Sequence, residues 1–188
     1  PPEIYNNVPV VAYGVDRDIP YPIVNVNHAE AMIIAIKELL AKGIDRIDYI
    51  GDIRTNDARQ IAKKDAIANY CEQHRIQYRM IDSSGLNAIE AETSVKHFLQ
   101  ESSLAPGVIC GSYDITVGTI NAMGSDEQPI IYSYDNIPQI KKIDYPVQAI
   151  GVPTAEIAQQ VVAILDKVIK GEPIENTYHL HPSLSHNQ

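Results

Sequence analysis

The sequence predicts an α/β protein built from parallel β-sheets, and three observations support this class. Short apolar runs alternate with segments whose apolar residues recur at helical spacing. Capping residues and glycines stand where those segments begin and end. No internal repeat or low-complexity segment interrupts the pattern. Strands that alternate with helices form parallel sheets through right-handed βαβ units.

The amino-terminal part of the chain predicts two short strands and then a helix. Residues 8–13 form an apolar run, and residues 23–26 form another after a proline-rich loop. The helix begins at the capping residue Asn27, has Glu30 three positions later and ends at Gly43. Its apolar residues recur at helical spacing and are Ala29, Met32, Ile33, Ile36 and Leu40.

The middle of the chain repeats the alternation. Residues 47–50 predict a strand, and Ile76, Tyr78 and Met80 alternate as the next one. Between these strands lies a helix whose apolar face is formed by Ala58, Ile61, Ala62, Ala66, Tyr70 and Cys71. Asn87 then caps a helix that carries Ala91, Val95, Phe98 and Leu99.

The carboxyl-terminal half predicts three more strands, at residues 108–110, 130–132 and 147–150. A short helix over about residues 114–123 separates the first two of them. The last helix ends at Gly171 and has an apolar face formed by Ile157, Val161, Ile164, Leu165 and Val168.

Composition limits the function classes. With 188 residues, of which 45% are hydrophobic and 21% charged, the chain can bury one sizeable core, or one core and part of a second. The net charge of -9, the pI near 5.0 and the lack of a Lys/Arg cluster argue against a nucleic-acid-binding surface on this chain. No apolar run approaches the roughly 20 residues that cross a bilayer, so we predict a soluble protein with no membrane contact.

The chain begins with Pro1 and no Met, and we therefore expect it to be part of a longer protein. The start also lacks the pattern of a signal peptide. Cys71 and Cys110 fall inside a predicted helix and a predicted strand, which indicates buried thiols in a reducing compartment.

Polar side chains follow three of the predicted strands. Arg59 begins the helix after strand 47–50, Ser112 and Tyr113 follow strand 108–110, and Asp135 follows strand 130–132. The carboxyl ends of parallel strands meet at one crevice, so we expect these residues to converge. An arginine, a carboxylate and hydroxyls beside an apolar wall favour a neutral polyhydroxylated ligand such as a sugar over an anion or a metal. The alternative is that Arg59 and Asp135 are solvated charges at helix ends. This alternative is less favoured because three polar positions converge on the same crevice.

Several segments resemble the effector-binding core of lactose/galactose-repressor (LacI/GalR-type) transcription regulators, and the resemblance spans essentially all 188 residues. Residues 43–47, between the first helix and its strand, have the spacing of that family. The other matching segments are Asn56-Asp57-Ala58-Arg59, Pro106-Gly107-Val108-Ile109-Cys110-Gly111-Ser112, Tyr134-Asp135-Asn136, Gln148-Ala149-Ile150-Gly151-Val152-Pro153 and the ending His179-Leu180-His181-Pro182-Ser183-Leu184.

The resemblance implies a periplasmic-binding-protein-like fold of type 1, in which two Rossmann-like lobes with parallel sheets enclose a sugar-sized cleft. Residues 28–145 and 176–188 would form the C-terminal lobe. Residues 1–27 and 146–175 would form an incomplete N-terminal lobe, whose opening strands and helices are missing from this chain.

The resemblance also implies site residues. Arg59 matches the family arginine that forks onto sugar hydroxyls, and Asp135 matches the acidic residue of a glycine-tyrosine-aspartate motif in which Ser133 replaces the glycine. The family's asparagine-aspartate pair appears as Ser112 and Tyr113 when Gly118 is aligned with the family glycine, and Asp114 follows one place later. Leu86 falls near the position where many members stack an aromatic ring. The expected ligand-binding residues are therefore Arg59, Asp135, Ser112, Tyr113 and Leu86.

The function implied is the sugar-binding effector domain of a cytoplasmic regulator, most simply a repressor of a carbohydrate-utilisation operon. Ligand binding would change the angle between the lobes of a homodimer and thereby the affinity for operator DNA of helix-turn-helix heads that are absent from this chain. No catalytic residue, metal or cofactor is expected.

Two rival readings belong to other classes. An exported sugar-binding receptor of a transport system shares the architecture, but the ending at residues 179–184 favours the regulator. An enzyme is disfavoured because Gly111-Ser112-Tyr113 lacks the second glycine of a nucleophile elbow and no carboxylate lies in a recognisable catalytic motif. His179 and His181 form a lone pair that is more typical of a surface strand than of a metal site.

Overall fold

The computed structural model of the protein describes residues 8–15 and 18–186. Within these residues the strands are β1 (Ala12–Tyr13), β2 (Ile23–Val26), β3 (Arg46–Gly51), β4 (Gln77–Asp82), β5 (Gly107–Cys110), β6 (Ile130–Tyr134), β7 (Val147–Gly151), β8 (Thr177–Leu180) and β9 (Ser183–His186). The helices are α1 (His28–Ala41), α2 (Ala58–His74), α3 (Ala88–Leu99), α4 (Tyr113–Ala122) and α5 (Thr154–Lys170), and a 3-10 helix covers Pro138–Lys142.

The larger sheet has six strands in the order β4-β3-β5-β6-β7-β9. All of its neighbouring pairs are parallel except β7 and β9. Ile50 aligns with Cys110, and Cys110 aligns with Ser133, so three central strands end at the same edge. The α/β class and the strand-helix alternation predicted from the sequence are confirmed.

The smaller sheet has three parallel strands in the order β1-β2-β8. Ile23 at the centre aligns with Ala12 on one side and Thr177 on the other. The chain passes between the two sheets after β2, after β7 and after β8. Two separate parallel sheets joined by such crossovers make a two-lobed architecture.

Two strands lie in other sheets than the resemblance implied. We expected residues 146–175 in the N-terminal lobe, but β7 pairs with β6 in the larger sheet. We expected residues 176–188 in the C-terminal lobe, but β8 pairs with β2 in the smaller sheet. An apolar run predicts a strand but does not indicate which strand pairs with it, because parallel pairing depends on long-range packing. Residues 1–7, 16–17 and 187–188, also assigned to the lobes, lie outside the described residues.

The strand predicted over residues 8–13 is shorter in the structure. β1 covers only Ala12–Tyr13, where the amide of Ala12 donates to the carbonyl of Pro22 and Gly14 donates to Val24. Pro9 has no N–H for a sheet hydrogen bond, which accounts for the late start of the pairing.

The core consists of two layers, one on each face of the larger sheet. Helices α1 and α2 cover one face with fully buried Met32, Ile36, Leu39 and Ile67. Helices α3 and α4 cover the other face, where the largest fully buried helix residue is Ile115. Each such side chain contributes roughly 1.5–3 kcal/mol on burial, so the larger sheet carries most of the hydrophobic stabilisation.

Helix α4 packs very closely on α3 because residue 118 is glycine. A Cβ atom at Gly118 would lie 2.3 Å from the carbonyl oxygen of Ala88 and 2.8 Å from the amide nitrogen of Glu92. Both atoms belong to the backbone and cannot swing away, so the spacing of the two helices depends on the missing side chain.

The helix ends follow the sequence signals. The Asn27 side chain accepts a hydrogen bond from the amide of Glu30 at 3.0 Å, and Asn87 accepts from Glu90 at 2.9 Å. Gly171 ends α5 with a left-handed φ of 68°. These caps are confirmed as predicted.

The two cysteines are buried and free, also as predicted. Burial raises the pKa of each thiol to about 11. Neither cysteine is therefore poised as a thiolate nucleophile.

Candidate functional site

A cavity of about 320 Å³ lies at the carboxyl edge of the larger sheet and is lined on its other side by residues of the smaller sheet. The larger sheet and its helices contribute Arg59, Gln60, Lys63, Leu86, Ser112, Asp114, Tyr134, Asp135, Asn136 and Ile137. The smaller sheet contributes Tyr13, Gly14 and Val26. The other lining residues are His28 at the start of α1, Gly151 at the end of β7, and Val152, Thr154 and Ile157 in and just before α5. A molecule in this cavity would touch both lobes.

Asp135 stands directly after β6 with a left-handed φ of 84°. Aspartate tolerates this conformation better than most residues. Its Oδ2 accepts a hydrogen bond of 3.1 Å from the amide of Tyr113. Burial raises the pKa of Asp135, and the Tyr113 amide and the Lys63 ammonium oppose the rise. The carboxyl is thus oriented toward the cavity by α4 and largely removed from water.

Ser133, which replaces the glycine of the resembling motif, lies behind Asp135 and is fully buried. Its hydroxyl accepts a 2.6 Å hydrogen bond from Thr116 and donates to the carbonyl of Tyr134 at 3.1 Å. The replacement is therefore satisfied within the fold and does not open the motif to the cavity.

Arg59 forms a two-pronged ion pair with Asp57, the N-cap of its own helix. Nε lies 3.1 Å from Oδ1, and Nη2 lies 2.7 Å from Oδ2. The guanidinium holds the pKa of Asp57 at about 2, and the carboxylate raises the pKa of Arg59. Nη1 donates to no residue in the described part of the chain. The arginine reaches the cavity with one nitrogen uncommitted.

Two tyrosines stand near the same charges. Burial and the Asp135 carboxylate raise the pKa of Tyr13, which reaches the site from the smaller sheet. The same two causes raise the pKa of Tyr134, whose hydroxyl shares a short hydrogen bond with Nδ1 of His28. The site therefore has neutral phenols beside its carboxyl group.

Lys63 is an unexpected member of the site. The residue is only 2% exposed, and its ammonium donates to the carbonyl oxygen of Gly111 at 2.6 Å. Nζ also lies 4.3 Å from the centre of the Tyr134 ring. Burial lowers the pKa of Lys63 to about 8, against the opposing attraction of Asp135. Among the described residues, no carboxylate lies within ion-pair distance of this ammonium.

Gln60, one turn before Lys63, is also buried and lines the cavity. Its Oε1 has no hydrogen-bond partner within the described structure. Sequence reasoning missed both residues because it assigned α2 a different apolar face. The buried positions Gln60, Lys63, Ile67 and Cys71 have helical spacing themselves, and that spacing was the available signal.

The structure brings four of the five expected site residues to the cavity: Arg59, Leu86, Ser112 and Asp135. Tyr113 is not among the lining residues, so the structure does not place its side chain at the cavity. Tyr113 is the first residue of α4, its ring packs against the cluster on the α3 and α4 face, and only its amide serves the site. The Ser112 hydroxyl caps the same helix by accepting from the amide of Ile115 at 3.3 Å.

No group of three or more His, Cys, Asp or Glu side chains with the geometry to hold a metal ion occurs in the described ranges 8–15 and 18–186. Within the same ranges, none of the helices combines the length and apolarity needed to span a membrane.

Comparison with known proteins shows the fold. No family model and no curated protein matches the chain. The trehalose repressor from Escherichia coli superposes with a TM-score of 0.78 at 18% identity, over 93% of this chain and 68% of that one. A LacI family transcriptional regulator from Enterococcus faecium with bound ribose gives 0.76 at 15%, over 94% and 68%. The Cra transcriptional dual regulator from Pseudomonas putida in complex with fructose 1-phosphate gives 0.77 at 14%, over 96% and 69%.

These similarities confirm the predicted fold class. The chain has the two-lobed α/β fold of LacI-family transcriptional regulators and spans about two thirds of their length.

Proposed function

We propose that this chain is the sugar-binding effector domain of a LacI-type transcription regulator. One observation carries the proposal, namely that the cavity is lined by residues of both sheets and that Asp135 and Arg59 are among them. Asp135 offers an acceptor and Arg59 offers an uncommitted donor, as a polyhydroxylated ligand requires. The fold neighbours that contain ribose and fructose 1-phosphate support this ligand class.

The regulatory mechanism follows from where the cavity lies. The two sheets are joined only by crossovers in the described chain, and a bound sugar would contact residues on both sides of them. A ligand that binds one lobe arrangement more tightly shifts the equilibrium toward it. The change would reach operator DNA through helix-turn-helix heads on a segment outside this chain, in a homodimer in the cytoplasm.

The proposed activity is binding without catalysis. The neighbours named above are regulators. The polar groups of the cavity that form hydrogen bonds within the described chain orient or cap their neighbours: Lys63 donates to the Gly111 carbonyl, the Tyr113 amide donates to Asp135, and Ser112 caps α4.

The test is a thermal-shift panel on the full-length protein with ribose, galactose, glucose, lactose and maltose. We expect one of these sugars to raise Tm by about 5–10 °C at a hundredfold excess over its Kd. Asp135→Ala and Arg59→Ala should lose most of the shift. Arg54→Ala is the control, because Arg54 is 84% exposed, pairs with Asp82 and does not line the cavity. An equal shift in all four proteins would refute the assigned site.

A further inference from the structure

Gln60 and Lys63 present an unused acceptor and an incompletely used donor on one face of α2. Both residues are more than nine-tenths buried and both line the cavity. The Gln60 Oε1 atom accepts no hydrogen bond from the described chain, and a buried acceptor without a partner costs about 1–3 kcal/mol. The Lys63 ammonium has three N–H donors and gives one to Gly111.

The charges around the cavity oppose a strongly anionic ligand. Two basic side chains of the lysine and arginine type line the cavity, Arg59 and Lys63. Arg59 is already neutralised by Asp57, whereas Lys63 has no ion pair within the described residues. The carboxylates of Asp114 and Asp135 face the same space. A phosphate ester would bring about two more negative charges to a cavity in which carboxylates already match or outnumber the available cation.

The helix ends that usually bind phosphate are occupied. The side chain of Asp57 accepts from the amides of Arg59 and Gln60 at the start of α2. At the start of α4, Asp135 accepts from the amide of Tyr113 and Ser112 accepts from Ile115. The chain's own oxygens thus hold the positions where an anion binds at a helix N-terminus. Two more helices begin at the cavity: α1, where Asn27 accepts from the amide of Glu30, and α5, which carries Glu156 in its first turn.

We propose, building on the sugar-binding function above, that Gln60 and Lys63 select a non-phosphorylated sugar through hydroxyl groups that donate to Gln60 Oε1 and accept from Lys63 Nζ. A hydroxyl group can do both, whereas a phosphate or carboxylate oxygen can only accept. A phosphate placed against Gln60 Oε1 would bring only acceptor oxygens to an acceptor, so this position adds to the preference of the cavity for a neutral sugar.

The experiment is calorimetric titration of the full-length protein with neutral sugars and their esters: ribose and ribose 5-phosphate, glucose and glucose 6-phosphate, fructose and fructose 1-phosphate. We expect a neutral sugar to bind at least tenfold more tightly than its ester. In Gln60→Leu we expect the Kd of that sugar to rise at least tenfold, while Tm of the free protein stays the same or rises because the unpaired acceptor is gone. Gln73→Leu, an exposed position on the same helix, is the matched control.

A second variant and a second ligand set distinguish loss of the hydrogen bond to Gln60 from a general disruption of the cavity. Gln60→Met keeps the length of the side chain and should behave as Gln60→Leu does. Single-deoxy analogues of the bound sugar identify the hydroxyl, since the analogue that lacks it should bind the native protein weakly and lose no further affinity in Gln60→Leu.

The outcomes separate the two proposals. An ester that binds more tightly than its parent sugar, or a Kd within twofold of native in both Gln60 variants, overturns the selectivity proposal and leaves sugar binding intact. Absence of binding by every sugar and every ester overturns the proposed function and the selectivity together.

Discussion

Arg59 is held by Asp57 in a two-pronged ion pair that is built within the first turn of one helix. The same Asp57 carboxylate also accepts from the amides of Arg59 and Gln60, at 2.9 and 3.3 Å. One acidic side chain therefore caps α2 and fixes the direction of the guanidinium at the rim of the cavity. Arg59, which the sequence predicts to bind sugar hydroxyls, is therefore oriented by Asp57 in the absence of a ligand.

Asp57→Ser should keep the cap and remove the ion pair. The folded pKa of Asp57 is about 2, below its ordinary value of 3.8, so its carboxylate adds stability above pH 4 and the addition is lost as the pH falls toward 2. Because the pair is partly exposed, we expect a loss of about 1 kcal/mol at pH 7. Urea unfolding at pH 7, 4 and 2.5 measures it, and a difference from native that does not shrink at pH 2.5 would contradict the assignment.

Lys63→Met should change the dependence of stability on pH. The folded pKa of about 8 lies below the ordinary lysine value of 10.5, so the buried ammonium costs roughly 3 kcal/mol below pH 8, and this cost is relieved as the pH rises to 10.5. The free energy of unfolding of the variant relative to native should therefore fall by about that amount between pH 7 and 10.5. Urea unfolding at several pH values measures the difference.

Lys64→Met is the matched control for that measurement, since Lys64 is one residue away and partly exposed. Its difference from native should be flat over the same pH range. A flat curve for Lys63→Met as well would mean that water reaches the ammonium in the folded protein.

Arg79→Leu should be strongly destabilising. Asp48 is fully buried, and its carboxylate is held by Arg79 at 2.7 Å through both oxygens and by the amide of Ala105. Removal of the guanidinium leaves a buried charge with one donor, which costs about 3–5 kcal/mol. The double variant Arg79→Leu/Asp48→Leu should recover part of the loss. If the single variant lost under 1 kcal/mol in urea unfolding, the pair would not be the anchor of β3 and β4 that the distances suggest.

Gly118→Ala should force α3 and α4 apart. The new methyl group would lie 2.3 Å from the Ala88 carbonyl oxygen, and overpacking of this kind costs about 1–3 kcal/mol. Gly124→Ala is the control, because a Cβ there meets nothing within 4 Å. Thermal unfolding of the two variants should separate them by several degrees, and equal Tm values would show that the helices can shift without cost.

Local signals in the sequence predicted most of the fold. Asn27 and Asn87 begin helices and Gly171 ends one, through contacts with residues a few positions away. Their capping roles can therefore be predicted without the tertiary structure. The partners of β7 and β8 could not be read in this way. β8 joins the smaller sheet through β2, which is far along the chain, whereas β7 joins the larger sheet beside the preceding strand β6. The residues of β7 and β8 do not indicate which of the two sheets each strand enters.

The candidate site was predicted in part for the same reason. Asp135 and Arg59 follow buried strands, and position relative to a strand is a local property. Gln60 and Lys63 were missed because a polar residue on a helix is expected to face solvent. Only the approach of Gly111 and Tyr134 shows that this face of α2 is covered.

The smaller sheet has a consequence for how the protein acquires its structure. Its central strand aligns Ile23 with Thr177, so almost the whole described chain must leave the ribosome before β2 can pair with β8. Closing so long a loop is slow and entropically costly unless the intervening sheet has already condensed. We therefore expect the larger sheet to fold first, and we expect the smaller sheet to be the last part to gain protection from amide hydrogen exchange and the first to lose it.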